Sequence, residues 1–186
     1  RAPVTLTSEN VYDVVNGKII LVTGAGGSIG SELCRQLLTS APKTLLILDH
    51  SEFNLYSINS ELIQKSEENG FKTEIVPILG SILDWKLLEK SFKTHSIDSV
   101  YHAAAYKHVP LVEDNIITGL ENNVLGTYNV VTIAYKYGAA HFVNVSTDKA
   151  VRPTNVMGAT KRLSELVIQG MAEYVRSHPK KGLIAP

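Results

Sequence analysis

Five short apolar runs, each separated from the next by a longer amphipathic stretch, dominate this sequence and leave few folds open to it. They fall at residues 18–23, 44–49, 74–79, 99–102 and 141–146. Each run is nearly continuous in aliphatic residues, the pattern of a strand covered on both faces of a parallel sheet. The stretches between them predict helices over residues 28–39, 52–67, 85–93, 111–137 and 157–176. Ser51 and Asp84 stand where N-caps belong, Pro110 suits a first helical turn, and Gly70 and Gly138 sit where helices should stop. Strand and helix in alternation make βαβ units, whose crossovers are right-handed. The expected fold is therefore α/β, a doubly wound parallel sheet of the Rossmann type with strand order 3-2-1-4-5.

In domain terms, residues 1–17 read as a leader with a short N-terminal helix, and residues 18–186 as the dinucleotide-binding domain. Residue 1 is Arg, not Met, and residues 180–186 read as a loop entering an apolar segment. The expectation is a chain truncated at its C-terminus, with the substrate lobe largely absent. The composition, 44% hydrophobic and 19% charged over 186 residues, suffices for one core and excludes a disordered or disulfide-stapled chain. Eighteen basic residues balance eighteen acidic ones, so no overall positive field exists to hold a nucleic acid, and none is expected as a partner. An anionic ligand must be held by local geometry instead. One cysteine, Cys34, rules out an internal disulfide and favours a reducing compartment. The six histidines show no spacing with carboxylate or thiol that reads as a metal site, so no metal is expected.

The local geometry is supplied by Gly24-Ala25-Gly26-Gly27-Ser28-Ile29-Gly30, which directly follows the first strand and opens a helix. Gly24 suits a tight turn, Gly27 lets the backbone approach a pyrophosphate, and Gly30 permits close helix packing, while the amides of Gly26, Ser28 and Ile29 face the anion. A glycine-rich turn that binds nothing is the bland alternative. Asp49 ends the second strand, 19 residues past Gly30, where a carboxylate accepts hydrogen bonds from an adenosine ribose and repels a 2′-phosphate. This favours NAD over NADP; a plain loop carboxylate is the alternative. Ala103, Ala104 and Ala105, after the fourth strand, leave room for a flat ligand against the backbone. Lys107 is the best charged candidate for facing a substrate diphosphate. After the fifth strand a hydroxyl, a carboxylate and an amine, Thr147, Asp148 and Lys149, emerge at the carboxyl end of the sheet. Lys161 lies one helical turn beyond Met157.

Gly24 to Gly30, the Ala103–Ala105 run, Asn122-Asn123-Val124-Leu125-Gly126-Thr127 and the segment from Thr147 to Lys161 together resemble the extended short-chain dehydrogenase/reductase superfamily. Thr147-Asp148-Lys149-Ala150-Val151, then Pro153-Thr154-Asn155-Val156-Met157-Gly158-Ala159-Thr160-Lys161, narrow the resemblance to the CapD-type polysaccharide biosynthesis proteins, the nucleotide-diphosphate N-acetylglucosamine 4,6-dehydratases. That resemblance implies a redox-neutral elimination with NAD as cofactor and a UDP-amino-sugar as substrate. Hydride leaves sugar C4, water departs across C5 and C6, and the hydride returns at C6. It further implies that Asp148 protonates the departing C6 hydroxyl, Lys149 takes the C5 proton, Thr147 binds the C4 oxygen and Lys161 holds the nicotinamide ribose. Most short-chain dehydrogenases carry a tyrosine base four residues before that lysine. Here the position is Met157, which accepts no proton. The C4 hydroxyl proton is thereby left to Asp148, Lys161 or an ordered water. The superfamily also implies a homo-oligomer paired through helices 111–137 and 157–176. The expected setting is the cytoplasm, or the inner face of a bacterial membrane if a membrane region precedes residue 1. A truncated chain of this kind is expected to bind NAD and turn over little. A sugar-nucleotide epimerase or oxidoreductase, or a noncatalytic NAD-binding module, would use the same scaffold.

Overall fold

The computed structural model describes residues 14–178, within which five strands form one parallel sheet in the order β3-β2-β1-β4-β5. The strands are β1 Ile19–Thr23, β2 Thr44–Asp49, β3 Glu74–Leu79, β4 Ser99–His102 and β5 His141–Asn144. The helices are α1 Ser28–Thr39, α2 Glu52–Asn69, α3 Trp85–His95, α4 Val109–Asp114, α5 Ile116–Leu120, α6 Gly126–Tyr137 and α7 Val156–Ser177. The expected sheet order is therefore the observed one. Most of the expected leader, and the apolar segment after residue 180, lie outside the described residues.

Strand alternation explains the two cores. Ile20, Val22, Leu45 and Ile47 pack on one side with Cys34, Leu38 and Leu62 of α1 and α2, whereas Leu21, Leu46, Leu48 and Val100 pack on the other with Leu88, Phe92 and Ile133 of α3 and α6. All six residues of β2 are buried, which is why its sequence shows no polar alternation. Each such leucine contributes roughly 1.5–3 kcal/mol of transfer free energy. β3 pairs only with β2, so this edge strand tolerates Pro77, which has no N–H to donate. Ser51 and Asp84 accept from the amides of Asn54 and Leu87 as the caps of α2 and α3, and Gly70 and Gly138 close α2 and α6 in the left-handed conformation.

Two expectations need correction. β5 ends at Asn144, not at residue 146, because its one partner strand β4 ends opposite it at His102; beyond, the Val145 carbonyl accepts from the Lys161 ammonium at 2.8 Å. The single helix expected over 111–137 is broken. Asn115 leaves helical dihedrals (φ −134°, ψ 55°) and its side-chain amide donates to the Leu111 carbonyl at 2.9 Å, the local competition that makes Asn a poor helix-interior residue. A π-helical turn then spans Glu121–Leu125 before α6 begins. Among the described residues no helix is long and apolar enough to cross a membrane, and no cluster of ligating side chains could hold a metal ion.

Candidate active site

The glycine loop is held by close backbone approach. Gly24 has φ +66°, and a Cβ there would lie 2.6 Å from the backbone of Ala104. A Cβ on Gly26 would lie 2.5 Å from Asn54 Cβ at the start of α2, and one on Gly30 would collide with the Gly24 carbonyl. Gly27 is less confined, its nearest obstacle being that carbonyl at 3.3 Å. Gly27 also precedes α1 without offering a side-chain cap, so the first-turn amides at Ser28 and Ile29 remain free for an anion. Asp49, 5% exposed, locks the loop from the adjacent strand: Oδ2 accepts from Gly26 N and Oδ1 from Ser51 N, both at 2.9 Å. Each oxygen keeps a lone pair for a ligand hydroxyl.

A cleft of about 130 Å³ runs along this loop, bounded by Gly24, Gly27, Asp49, Ser81 and Ala103 to Tyr106. The alanines thus border the cleft as their small size suggests. A wider hollow of about 500 Å³ shares His50, Asn54, Ala105 and Tyr106 with it and continues over Lys107, His108 and Leu111. Lys107 lines the wider hollow, its ammonium donating to the Ser28 hydroxyl at 2.7 Å.

Beneath the cleft lies a buried polar hub that the sequence did not announce. Asn123, in the π-helical turn, uses its whole amide: Oδ1 accepts from Tyr106 N (2.7 Å) and Asn122 Nδ2 (3.1 Å), and Nδ2 donates to Tyr106 O (3.0 Å) and Thr160 Oγ1 (2.9 Å). Its main-chain carbonyl accepts from the hydroxyls of Thr127 and Ser164. One residue thereby fastens the loop after β4 to α7. Because the Thr127 hydroxyl donates to Asn123, it accepts from His102 Nε2–H at 3.0 Å, leaving Nδ1 to accept from Thr23 at 2.7 Å. Burial, and secondarily the charge of Lys161, push the His102 ring down to about 3.

That shift fixes a pH dependence. Below about 6.5 the unfolded chain takes up a proton at His102 that the folded chain refuses until about 3, so stability falls as pH drops through this window. Between pH 7 and pH 4 this group alone is expected to withdraw on the order of 3 kcal/mol. Urea midpoints of the parent and of His102→Gln, which keeps a donor and an acceptor but does not titrate, are the check; parallel curves over that range would refute it.

The segment after β5 forms a tight turn. Thr147 Oγ1 accepts from Lys149 N at 3.4 Å and donates to Asp148 Oδ1 at 3.0 Å, and Lys149 Nζ lies 3.9 Å from the same carboxylate oxygen. The Thr147 hydroxyl, then the Lys149 charge, hold Asp148 below the usual carboxylate range, in its ionised form. The side chains are open, Asp148 at 91% and Lys149 at 53% exposure. Lys161, by contrast, is 7% exposed, and burial pushes its amine down. Its bond to the Val145 carbonyl places it at the same end of the sheet as the cleft and the Thr147 turn. Met157 is 3% exposed and lies in the protein interior.

Sequence reasoning missed Asn123 as a hub, Asn155, whose Oδ1 accepts from Gly158 N as the cap of α7, and Glu113, which accepts from Val156 N at 2.7 Å. The signal for the first was present: two asparagines in an otherwise helical stretch disfavour the helix and need a buried polar reason.

A 3-2-1-4-5 parallel sheet, a glycine loop opening α1 and a carboxylate at the end of β2 define a Rossmann domain of the short-chain dehydrogenase/reductase kind, the architecture of sugar-nucleotide epimerases and dehydratases. The chain belongs to the polysaccharide biosynthesis protein family, whose model matches residues 20–184. It is 47% identical over 176 residues to the capsular polysaccharide biosynthesis protein CapD of Staphylococcus aureus, covering 93% of this chain and 28% of that protein. It is 32% identical over 151 residues to the inverting UDP-N-acetylglucosamine 4,6-dehydratase of Campylobacter jejuni, covering 81% of this chain and 42% of the relative. The chain thus spans less than half the length of these relatives. Among solved structures, the dTDP-glucose 4,6-dehydratase DesIV of Streptomyces venezuelae, a double mutant with NAD bound, superposes with a TM-score of 0.68 at 27% identity, over 88% of this chain and 52% of that one.

The residues present fit a dinucleotide. Gly24, Gly26 and Gly30 leave no room for side chains where the loop approaches Ala104, Asn54 and its own backbone, and Asp49 retains acceptor capacity inside the cleft.

Proposed function

We propose that the native protein containing this chain dehydrates a UDP-N-acetylglucosamine-like sugar nucleotide across C5 and C6 to a 4-keto-6-deoxy sugar, with NAD held in the cleft. The observation that carries this reading is the placement of the Thr147-Asp148-Lys149 turn and buried Lys161 at the same end of the sheet as the glycine-loop cleft. A bound nicotinamide supplies reversible storage of one hydride, withdrawn from C4 and returned at C6.

The chain's own groups then have to move two protons. Asp148 begins ionised, so it can take the proton of the C4 hydroxyl that buried Met157 cannot accept. Once protonated it is the acid that the leaving C6 hydroxyl requires, and that oxygen departs as water. The C4 carbonyl acidifies C5, whose proton goes to Lys149 and is given back at the same carbon. Lys149 acts from its neutral form, and its amine, 53% exposed, is open to an arriving sugar. Thr147 hydrogen-bonds the C4 oxygen, and Lys161 orients the nicotinamide ribose from below. Ser28 and Ile29 present backbone amides to the pyrophosphate; contrary to expectation the Gly26 amide does not, being donated to Asp49, as the Gly27 amide is to the Gly24 carbonyl, and Lys107, already at Ser28, adds a charge from the side of the wider hollow. Substrate atoms and electrons balance as loss of one water.

The same reading pairs α6 and α7 with a second copy through exposed Tyr128, Leu163 and Leu166, for which the molar mass in solution is the check. The reaction itself is tested by incubating the native protein with UDP-N-acetylglucosamine and following products by NMR and mass. A 4-keto-6-deoxy product 18 Da lighter, the mass of one water, with no net reduced coenzyme, is expected. A C4 epimer of unchanged mass would replace dehydration with epimerisation on the same scaffold.

A further inference from the structure

The turn that carries Asp148 and Lys149 rests on one residue of α7. Internally the turn is closed by Ala150 N donating to Thr147 O at 3.1 Å and Val151 N donating to Asp148 O at 3.0 Å, with the Ala150 side chain buried beneath. Its underside is the Lys149 carbonyl, which occupies the space a Cβ on Gly158 would need; the carbonyl carbon lies only 3.2 Å from that position. Unlike a crowded side chain, these are main-chain atoms and have no rotamer by which to give way. Nor does the helix yield from below, since Gly158 N is tied to the Asn155 cap at 2.7 Å. The loop after β5 is therefore pinned at two points on one helix, at Val145 by Lys161 and at Lys149 by the bare Cα of Gly158.

We infer that Gly158 is a positioning residue that sets the height of the Asp148–Lys149 pair over α7, and with it the reach of both groups to the sugar, independently of the coenzyme. The inference rests on the proton-transfer roles proposed above. A Cβ at 158 lifts the turn and leaves the glycine loop, Asp49 and the Lys161–Val145 bond where they are. Misplacement on the scale of an ångström costs catalytic groups about a hundredfold.

The test uses the native protein with UDP-N-acetylglucosamine in deuterated water, reading exchange at C5 alongside turnover and NAD affinity. Gly158→Ala is expected to bind NAD as the parent does, to keep KM within about twofold, and to lose about 10- to 100-fold in both kcat and C5 exchange. Parental exchange in a folded, NAD-binding Gly158→Ala protein overturns the inference. A merely structural role would lower melting temperature and NAD affinity together without this split. If Gly158→Ala does not fold, Ala150→Gly loosens the same turn with no added atom and is expected to slow C5 exchange several-fold at unchanged NAD affinity; parental exchange there overturns it equally. Lys149→Ala separates the two levels. If it retains exchange, the proposed reaction fails; if it abolishes exchange while both seat variants keep it, only the role of Gly158 fails.

Discussion

Lys149→Ala in the native protein is expected to cut dehydration about a thousandfold or more while leaving NAD affinity and melting temperature near parental values. The magnitude follows from removing the group that takes the C5 proton, since general base catalysis contributes about 10²–10⁴-fold. The neutrality of the fold follows from exposure: the amine is half in solvent and, among the described residues, meets only Asp148, at 3.9 Å, so its loss leaves nothing there buried and unpaired. Asp148→Asn should fail similarly, with one difference. An asparagine neither takes the C4 proton nor delivers one to C6, so both the oxidation and the elimination stop. Single-turnover formation of reduced coenzyme distinguishes the pair, since the oxidation at C4 proceeds in Lys149→Ala and stops in Asp148→Asn, while both lose C5 exchange and product. Dehydration at parental rates in either variant would remove these residues from the chemistry.

The second large effect belongs to the glycine loop. Gly30→Ala is expected to abolish measurable NAD binding and to lower stability by about 1–3 kcal/mol, the usual result of forcing an extra carbon into a filled space. The atom obstructing it is the carbonyl of Gly24, part of the turn that shapes the cleft, so the loop itself must move. Gly27→Ala is the contrasting variant, its nearest obstacle lying at 3.3 Å, and it should fold normally. Calorimetric titration with NAD and thermal unfolding of the two variants check the contrast. A Gly30→Ala protein that melts and binds like the parent would show that the close approach is dispensable.

How far the sequence foretold these features depended on whether the cause was local. β1 to β4 and the starts of α2 and α3 follow from burial on both faces and from cap residues acting within one turn, and those were legible. The π-helical turn at Glu121–Leu125 was not, because its cause is tertiary, whereas the break at Asn115 has a local cause, the side chain competing for the Leu111 carbonyl, that a run of apolar residues on either side masked. Widening the helix by one residue frees the Asn123 carbonyl for Thr127 and Ser164, the latter 41 positions away in sequence. The constellation at 147–149 was visible as residue types, yet its hydrogen bonding was not: only the turn geometry shows that Thr147 donates to Asp148 and, with Lys149, lowers its carboxyl further. Lys107 is the intermediate case: a charge near a ligand was expected, but its contact with Ser28 across 79 positions needed the fold.

Asp49 couples two traits that protein engineers usually treat as separable. Preference between the two nicotinamide coenzymes is commonly shifted by neutralising the carboxylate at this strand end, to admit a phosphate. Here that carboxylate also fastens Gly26 and Ser51, one through each oxygen. On the proposed reading, retuning that preference in this chain calls for two acceptors supplied from elsewhere, and coenzyme choice would be as durable as the framework of the cleft.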